Sequence, residues 1–198
     1  MTPPSKEEIF SLPNLLSLVR VGSIPILVAM MHYNSPVWSW TAGVVFFVAG
    51  LTDLADGWLA RRMKKVSVLG QYLDPVADKL LIASLLVALV AEGRAPAWMA
   101  IIVICREIAV TGMRALAAIK GFNVPSDMWG KWKTAVQMLA LLLLVMHYPI
   151  AGFDPHYWGM VSLWVAVAIT AWSGLGYFIR FQRKLVHGAD SDSEPFSP

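Results

Sequence analysis

A single cysteine, Cys105, stands in the 198 residues, so no intrachain disulfide can staple the chain and cysteine usage says nothing of redox compartment. Cys105 lies in an apolar run and reads as an inert filler rather than a nucleophile. Charge is equally scarce. Only 15% of residues are Asp, Glu, Lys or Arg and 57% are hydrophobic, whereas a soluble domain carries about 25% charge, so a water-soluble globule is disfavoured. The basic residues sit in short clusters, at 61–65, 120–133 and 180–184, with no soluble domain to present them as a patch, and no nucleic-acid partner is expected. The four histidines, His32, His147, His156 and His187, show no metal-ligand spacing. A cleaved leader is not expected either: Glu7 and Glu8 precede the first apolar run, Arg20 interrupts it, and no small-residue cleavage site is clear. No internal repeat relates the two halves.

The apolar residues are gathered into long runs. A transmembrane helix needs about 20 mostly apolar residues, and six segments qualify, at 11–32, 37–61, 72–92, 96–120, 129–148 and 157–181. The breaks carry turn chemistry: Ser35-Pro36, Gly93 with Pro96, Asn123 to Asp127, and Asp154-Pro155. One transmembrane domain over residues 1–187 is expected, with 188–198 a polar, disordered tail. Lys6, Arg61, Arg62, Lys64, Lys65, Lys120, Arg180, Arg183 and Lys184 fall on one side of the six spans and only Arg94 on the other. The excess of positive charge marks the cytoplasmic side, so the expected fold is an all-α bundle of six transmembrane helices with both termini cytoplasmic.

Within these runs stand four acids, Asp53 and Asp56 in the second span and Asp74 and Asp78 in the third. A carboxylate at membrane depth is costly and points to function. Residues three or four apart share a helix face, so each pair presents two carboxylates together, and the short intervening loop makes the two helices antiparallel neighbours. Four facing carboxylates would repel one another without cations; with one or two divalent ions they become a clamp for phosphate oxygens, and all-oxygen ligands suit Mg²⁺ or Mn²⁺. Gly57, Ala60 and Gly70 leave space along the same faces, although small residues also serve helix packing.

Taken together, the segment reads D-x2-D-G-x2-A-R-x8-G-x3-D-x3-D from Asp53 to Asp78, which resembles, at every defined position, the signature of the CDP-alcohol phosphotransferase family of membrane enzymes. The resemblance implies a six-helix core, usually a homodimer, in a bacterial inner membrane with the active site facing the cytoplasm. It implies that Asp53, Asp56, Asp74 and Asp78 hold divalent metal, that Asp78 is also the general base, and that Gly57, Ala60 and Arg61 receive the CDP group. Around Asn14, Ser17 and Arg20 the N-terminal stretch is similar to a bacterial branch of that family, with Ser17 where the branch usually has threonine. So are Asp74 to Lys79, Arg106-Glu107-Ile108 with Thr111 and Arg114, and Gly130 to Met138. That branch implies CDP-diacylglycerol as donor, with Asn14 and Arg20 near it, glycerol 3-phosphate as acceptor, and phosphatidylglycerol phosphate with CMP as products.

The basic residues fit an anionic acceptor. Arg106 and Glu107 lie mid-span, Arg114 is two turns nearer the cytoplasm, and Lys131 and Lys133 open the fifth span. Arginine grips phosphate through two bonds and lysine acts as a point charge, so Arg106, Arg114, Lys131 and Lys133 are the expected glycerol 3-phosphate contacts. Plainer readings stand beside this one: Arg106 can pair with Glu107 as a structural bridge, Lys131 and Lys133 can snorkel to headgroups, and Lys79 reads as a structural counterion outside the site. The rival functions are a sibling enzyme with another acceptor (serine, inositol phosphate, or phosphatidylglycerol in a cardiolipin-forming reaction) and, from another class, a divalent-cation transporter. The transporter leaves the glycine, alanine and arginine spacing without a reason.

Overall fold

The computed structural model describes residues 12–63, 68–120 and 128–191, and side chains within 17–51, 76–120 and 132–185. These residues form six helices: α1 (Leu12–His32), α2 (Pro36–Met63), α3 (Val68–Ala91), α4 (Ala97–Ile119), α5 (Met128–Met146) and α6 (Pro155–Ser191). Among the described residues there is no strand, only an isolated bridge between Ile150 and Phe153. Every expected span finds its helix. The largest departure is α6, which runs on to Ser191 where 181 was expected and so takes in residues 188–191 of the expected tail.

Local chemistry sets the ends. Pro36 and Pro155 open α2 and α6, where a missing N–H costs no helical bond. Gly93 closes α3 at φ +67°: its N–H donates to Val90 O and that of Arg94 to Leu89 O, a paired C-terminal cap that needs the left-handed region glycine enters freely.

The segment Pro155–Leu185 is long and apolar enough to cross a membrane, and Ser17–His32, Pro36–Leu51 and Trp132–Met146 are shorter apolar helical stretches. In α4 the apolar run is interrupted by Arg106, Glu107 and Arg114, residues that belong to the site below.

α5 lies along α6, α1 against α3 and α2, and α4 against α6, with α2 and α3 also meeting α5. The core between them holds Phe46, Leu85, Leu89, Met99, Leu141 and Leu163, all fully buried. At one end of the bundle Arg94, 2% exposed, ties three elements together. It donates to Val145 O at the end of α5 (3.0 Å), to Met31 O at the end of α1 (3.3 Å) and to Asn34 Oδ1 (3.0 Å). A cation at two helix C-termini meets the negative ends of both dipoles. Tyr148 Oη donates to Asn34 O and Trp40 Nε1 donates to Tyr148 O, closing the same end. The opposite half of the bundle carries the charged groups.

Candidate active site

Two polar groups meet in that half. The first joins α1 to α3: Arg20, buried, donates from Nη1 to Asp78 Oδ1 at 2.7 Å, while the Asp78 side chain stays 46% exposed. Fifty-eight residues separate the two in sequence. The arginine orients the carboxylate, and its open surface leaves it accessible to a small molecule.

The second group joins α4, α5 and α6. Glu107 Oε1 accepts from Arg106 Nη1 at 3.3 Å and also from Lys133 Nζ. Arg106 Nη2 donates to Ser173 Oγ on α6 at 3.0 Å. Gly174 permits that approach, since a Cβ there would lie 3.0 Å from Arg106 Cγ. Arg114 stacks its guanidinium over the Tyr177 ring, 5.6 Å from its centre, a cation–π contact that holds an otherwise exposed side chain. Lys79 connects the two groups. Its Nζ donates to Thr111 Oγ1 at 2.5 Å, and it feels the charges of Arg114, Asp78 and Arg106.

Lys133 is 4% exposed and Gln137, one turn further along α5, is 1% exposed. Buried polar atoms normally find a partner. Here Arg106 Nε, Gln137 Nε2 and Tyr177 Oη have none among the described residues. Glu107 pairs with Arg106 and Lys133, while Lys79 feels the charges of Arg106 and Arg114, so four cations share a region with one paired carboxylate, an arrangement suited to an anion.

A model of the CDP-alcohol phosphatidyltransferase family matches residues 10–172. The chain belongs to that family. Relatives carry the likeness over about 85% of the chain. The CDP-diacylglycerol–glycerol-3-phosphate 3-phosphatidyltransferase of Bacillus subtilis is 38% identical, covering 85% of this chain and 94% of its own. The enzyme of the same name from Pseudomonas fluorescens is 40% identical over 84% of this chain and 88% of its own. That from Haemophilus influenzae is 36% identical over 85% and 91%.

Members of this family are generally divalent-metal dependent. The donor chemistry of this chain fits such an ion. Asp53 and Asp56 sit on helical backbone in α2, three residues apart, and Asp74 and Asp78 one turn apart in α3. All are oxygen donors. Among the described residues no three His, Cys, Asp or Glu side chains gather, and the side chains of Asp53, Asp56 and Asp74 lie outside them. The side chains of Asn14, Gly57, Ala60, Arg61 and Lys131 also lie outside the described residues, although their backbones are helical.

Of the expected site residues with described side chains, Arg20 meets Asp78, and Arg106 meets Lys133 through Glu107. Arg106 does pair with Glu107, as the plainer reading had it, but the pair also anchors Lys133 and Ser173. Gln137 lies in the stretch from Gly130 to Met138 that carries the resemblance, with no role assigned to it there, and Ser173, Gly174 and Tyr177 escaped the sequence reading. They stand in apolar helices with nothing in their spacing to distinguish them from packing residues. Lys79 had a signal, its place beside Asp78.

Proposed function

We propose that this family member transfers the phosphatidyl group of CDP-diacylglycerol to sn-glycerol 3-phosphate, giving phosphatidylglycerol phosphate and CMP. One observation carries the choice of acceptor: Arg106 and Lys133 meet at Glu107, and Lys79 feels the charges of Arg106, Arg114 and Asp78, with buried donors left over at Arg106, Gln137 and Tyr177. Such a cluster suits a phosphate dianion better than serine, a zwitterion of no net charge whose ammonium group the cations repel. The names of the Bacillus, Pseudomonas and Haemophilus relatives support the same acceptor.

In this reading Arg106, Arg114, Lys131 and Lys133 hold the acceptor phosphate, joined by Lys79, so that the free primary hydroxyl faces Asp78. Asp78, oriented by Arg20, takes the hydroxyl proton as the oxygen attacks the donor's β-phosphorus. The new P–O bond forms as the bond to CMP breaks, and CMP leaves with that electron pair. Asn14, Arg20, Gly57, Ala60 and Arg61 receive the donor's nucleotide. When bound, Mg²⁺ or Mn²⁺ at Asp53, Asp56, Asp74 and Asp78 supplies positive charge to the diphosphate oxygens.

The six helices are read as six spans of a bacterial inner membrane, in a homodimer. Residues 1–187 form one domain, both termini are cytoplasmic and the site faces the cytoplasm. The lysine and arginine bias supports this orientation.

The test is CMP release by purified protein given CDP-diacylglycerol with a panel of acceptors. Release is expected with glycerol 3-phosphate, lost with chelator and restored by Mg²⁺ or Mn²⁺. Release only with serine, inositol phosphate or phosphatidylglycerol would move the assignment to a sibling reaction. Metal flux in proteoliposomes with no CMP from any acceptor would favour a transporter.

A further inference from the structure

A cleft of about 470 Å³ opens between α2 and α5 and ends at the Arg20–Asp78 pair. Its floor is Phe46 and Leu81, both buried, and its rim is Phe47, Leu51 and Leu139, each about half exposed on the outer face of the bundle. Only Arg20, Asp78 and Thr134 bring polar side chains to its lining. Apolar cavities are poor hosts for water and good ones for hydrocarbon. From Thr134 to Leu142 the α5 wall runs two helical turns, about 12 Å. Half-way along, the two walls close on each other: a Cβ on Gly50 of α2 would lie 3.2 Å from Met138 Cε of α5.

A hydrocarbon slot that opens sideways and ends at the Arg20–Asp78 pair matches a molecule whose head lies at Asp78 and whose tail is aliphatic. We propose that this slot receives one acyl chain of the lipid donor, and that Gly50 with Met138 sets the chain length it accepts. The inference rests on the phosphatidyl-transfer reading for its substrate. It adds that one chain is held by the protein while the other stays in the bilayer. Methionine is flexible enough to act as an adjustable stop, and glycine opposite leaves it room to swing.

The measurement is the ratio of kcat/KM for a dipalmitoyl to a dihexanoyl CDP-diacylglycerol in mixed micelles. Gly50→Leu, which fills the narrow point, lowers that ratio at least tenfold. Met138→Ala, which opens it, raises the ratio severalfold. Ala135→Phe, at an exposed position on the rim, lowers the ratio without touching the core, so a folding failure of the glycine variant does not stall the test. Ratios unchanged in all three variants overturn the proposal. A second readout needs no turnover: phosphatidic acid with a diazirine on its acyl chain should photolabel α2 and α5 in the wild type and lose that labelling in Gly50→Leu. Absence of CMP release together with this labelling pattern would refute the catalytic reading and keep the slot. CMP release with labelling elsewhere would do the reverse.

Discussion

Arg94 offers the clearest separation of stability from function. Replacing it with methionine keeps most of the side-chain volume and removes the guanidinium. Three acceptors then lose their donor: Val145 O, Met31 O and Asn34 Oδ1. A hydrogen bond to a charged group contributes about 1.5–3 kcal/mol, but the three are not additive and the arginine's own desolvation cost disappears with it. The net loss expected is about 3–5 kcal/mol, in line with breaking a buried charged contact at one partner. For a chain of this length that corresponds to a fall in Tm of roughly 6–20 °C. Thermal unfolding in detergent, followed by tryptophan fluorescence, measures it. CMP release at 20 °C below the variant's own Tm should match wild type per folded molecule, because the clasp lies at the end of the bundle away from Asp78. Arg94→Lys should recover only part of the loss, since one ammonium group cannot reproduce the planar fork. A Tm within 2 °C of wild type would show that the three bonds contribute nothing net, and the account of the clasp would be wrong.

Other expectations follow from single side chains. Asp78→Asn should lower turnover by about 10²–10⁴-fold, the usual worth of a general base, with the helical content unchanged by circular dichroism; turnover near wild type would remove Asp78 from the proton transfer. Arg114→Ala should raise the KM for glycerol 3-phosphate more than that for CDP-diacylglycerol, and equal effects on both would place Arg114 elsewhere than the acceptor pocket. Glu92, in the turn after α3, accepts hydrogen bonds from His32 and Asn34, and the His32 bond above all holds its carboxyl below the ordinary value of 4.5. A depressed carboxyl contributes stability above its unfolded pKa and loses it as pH falls through the folded one. The Tm gap between wild type and Glu92→Gln should therefore close as Glu92 takes up its proton below about pH 5; a gap that widens below that pH contradicts the sign.

Much of this architecture was legible beforehand, because a bilayer restricts the backbone to few solutions and long apolar runs announce helices directly. The helix ends at Pro36 and Pro155 and the cap at Gly93 were visible as punctuation. The boundary of α6 was not: its polar end continues as helix to Ser191 because low hydropathy stops a membrane run without stopping intrahelical bonding. The acid pairs stood out in the sequence through cost and spacing, although three of their side chains lie outside the described residues, and Arg106, Arg114 and Lys133 stood out through their presence in apolar surroundings. Lys79 was set aside, since adjacency to Asp78 suggests a neighbour in sequence and not the bond to Thr111 that brings it into the charged cluster.

By itself the chain's order of residues determined the helices, their orientation bias and the type of chemistry, since each depends on composition and on periods of a few residues. Only the packing of the bundle decided which distant groups meet: Arg20 with Asp78 across α1 and α3, Glu107 between Arg106 and Lys133, Ser173 and Tyr177 turned toward the cations, and the apolar cleft beside Gly50. Those contacts depend on the rotation of each helix about its axis and on its neighbours, and the shape of side chains at six crossings sets both.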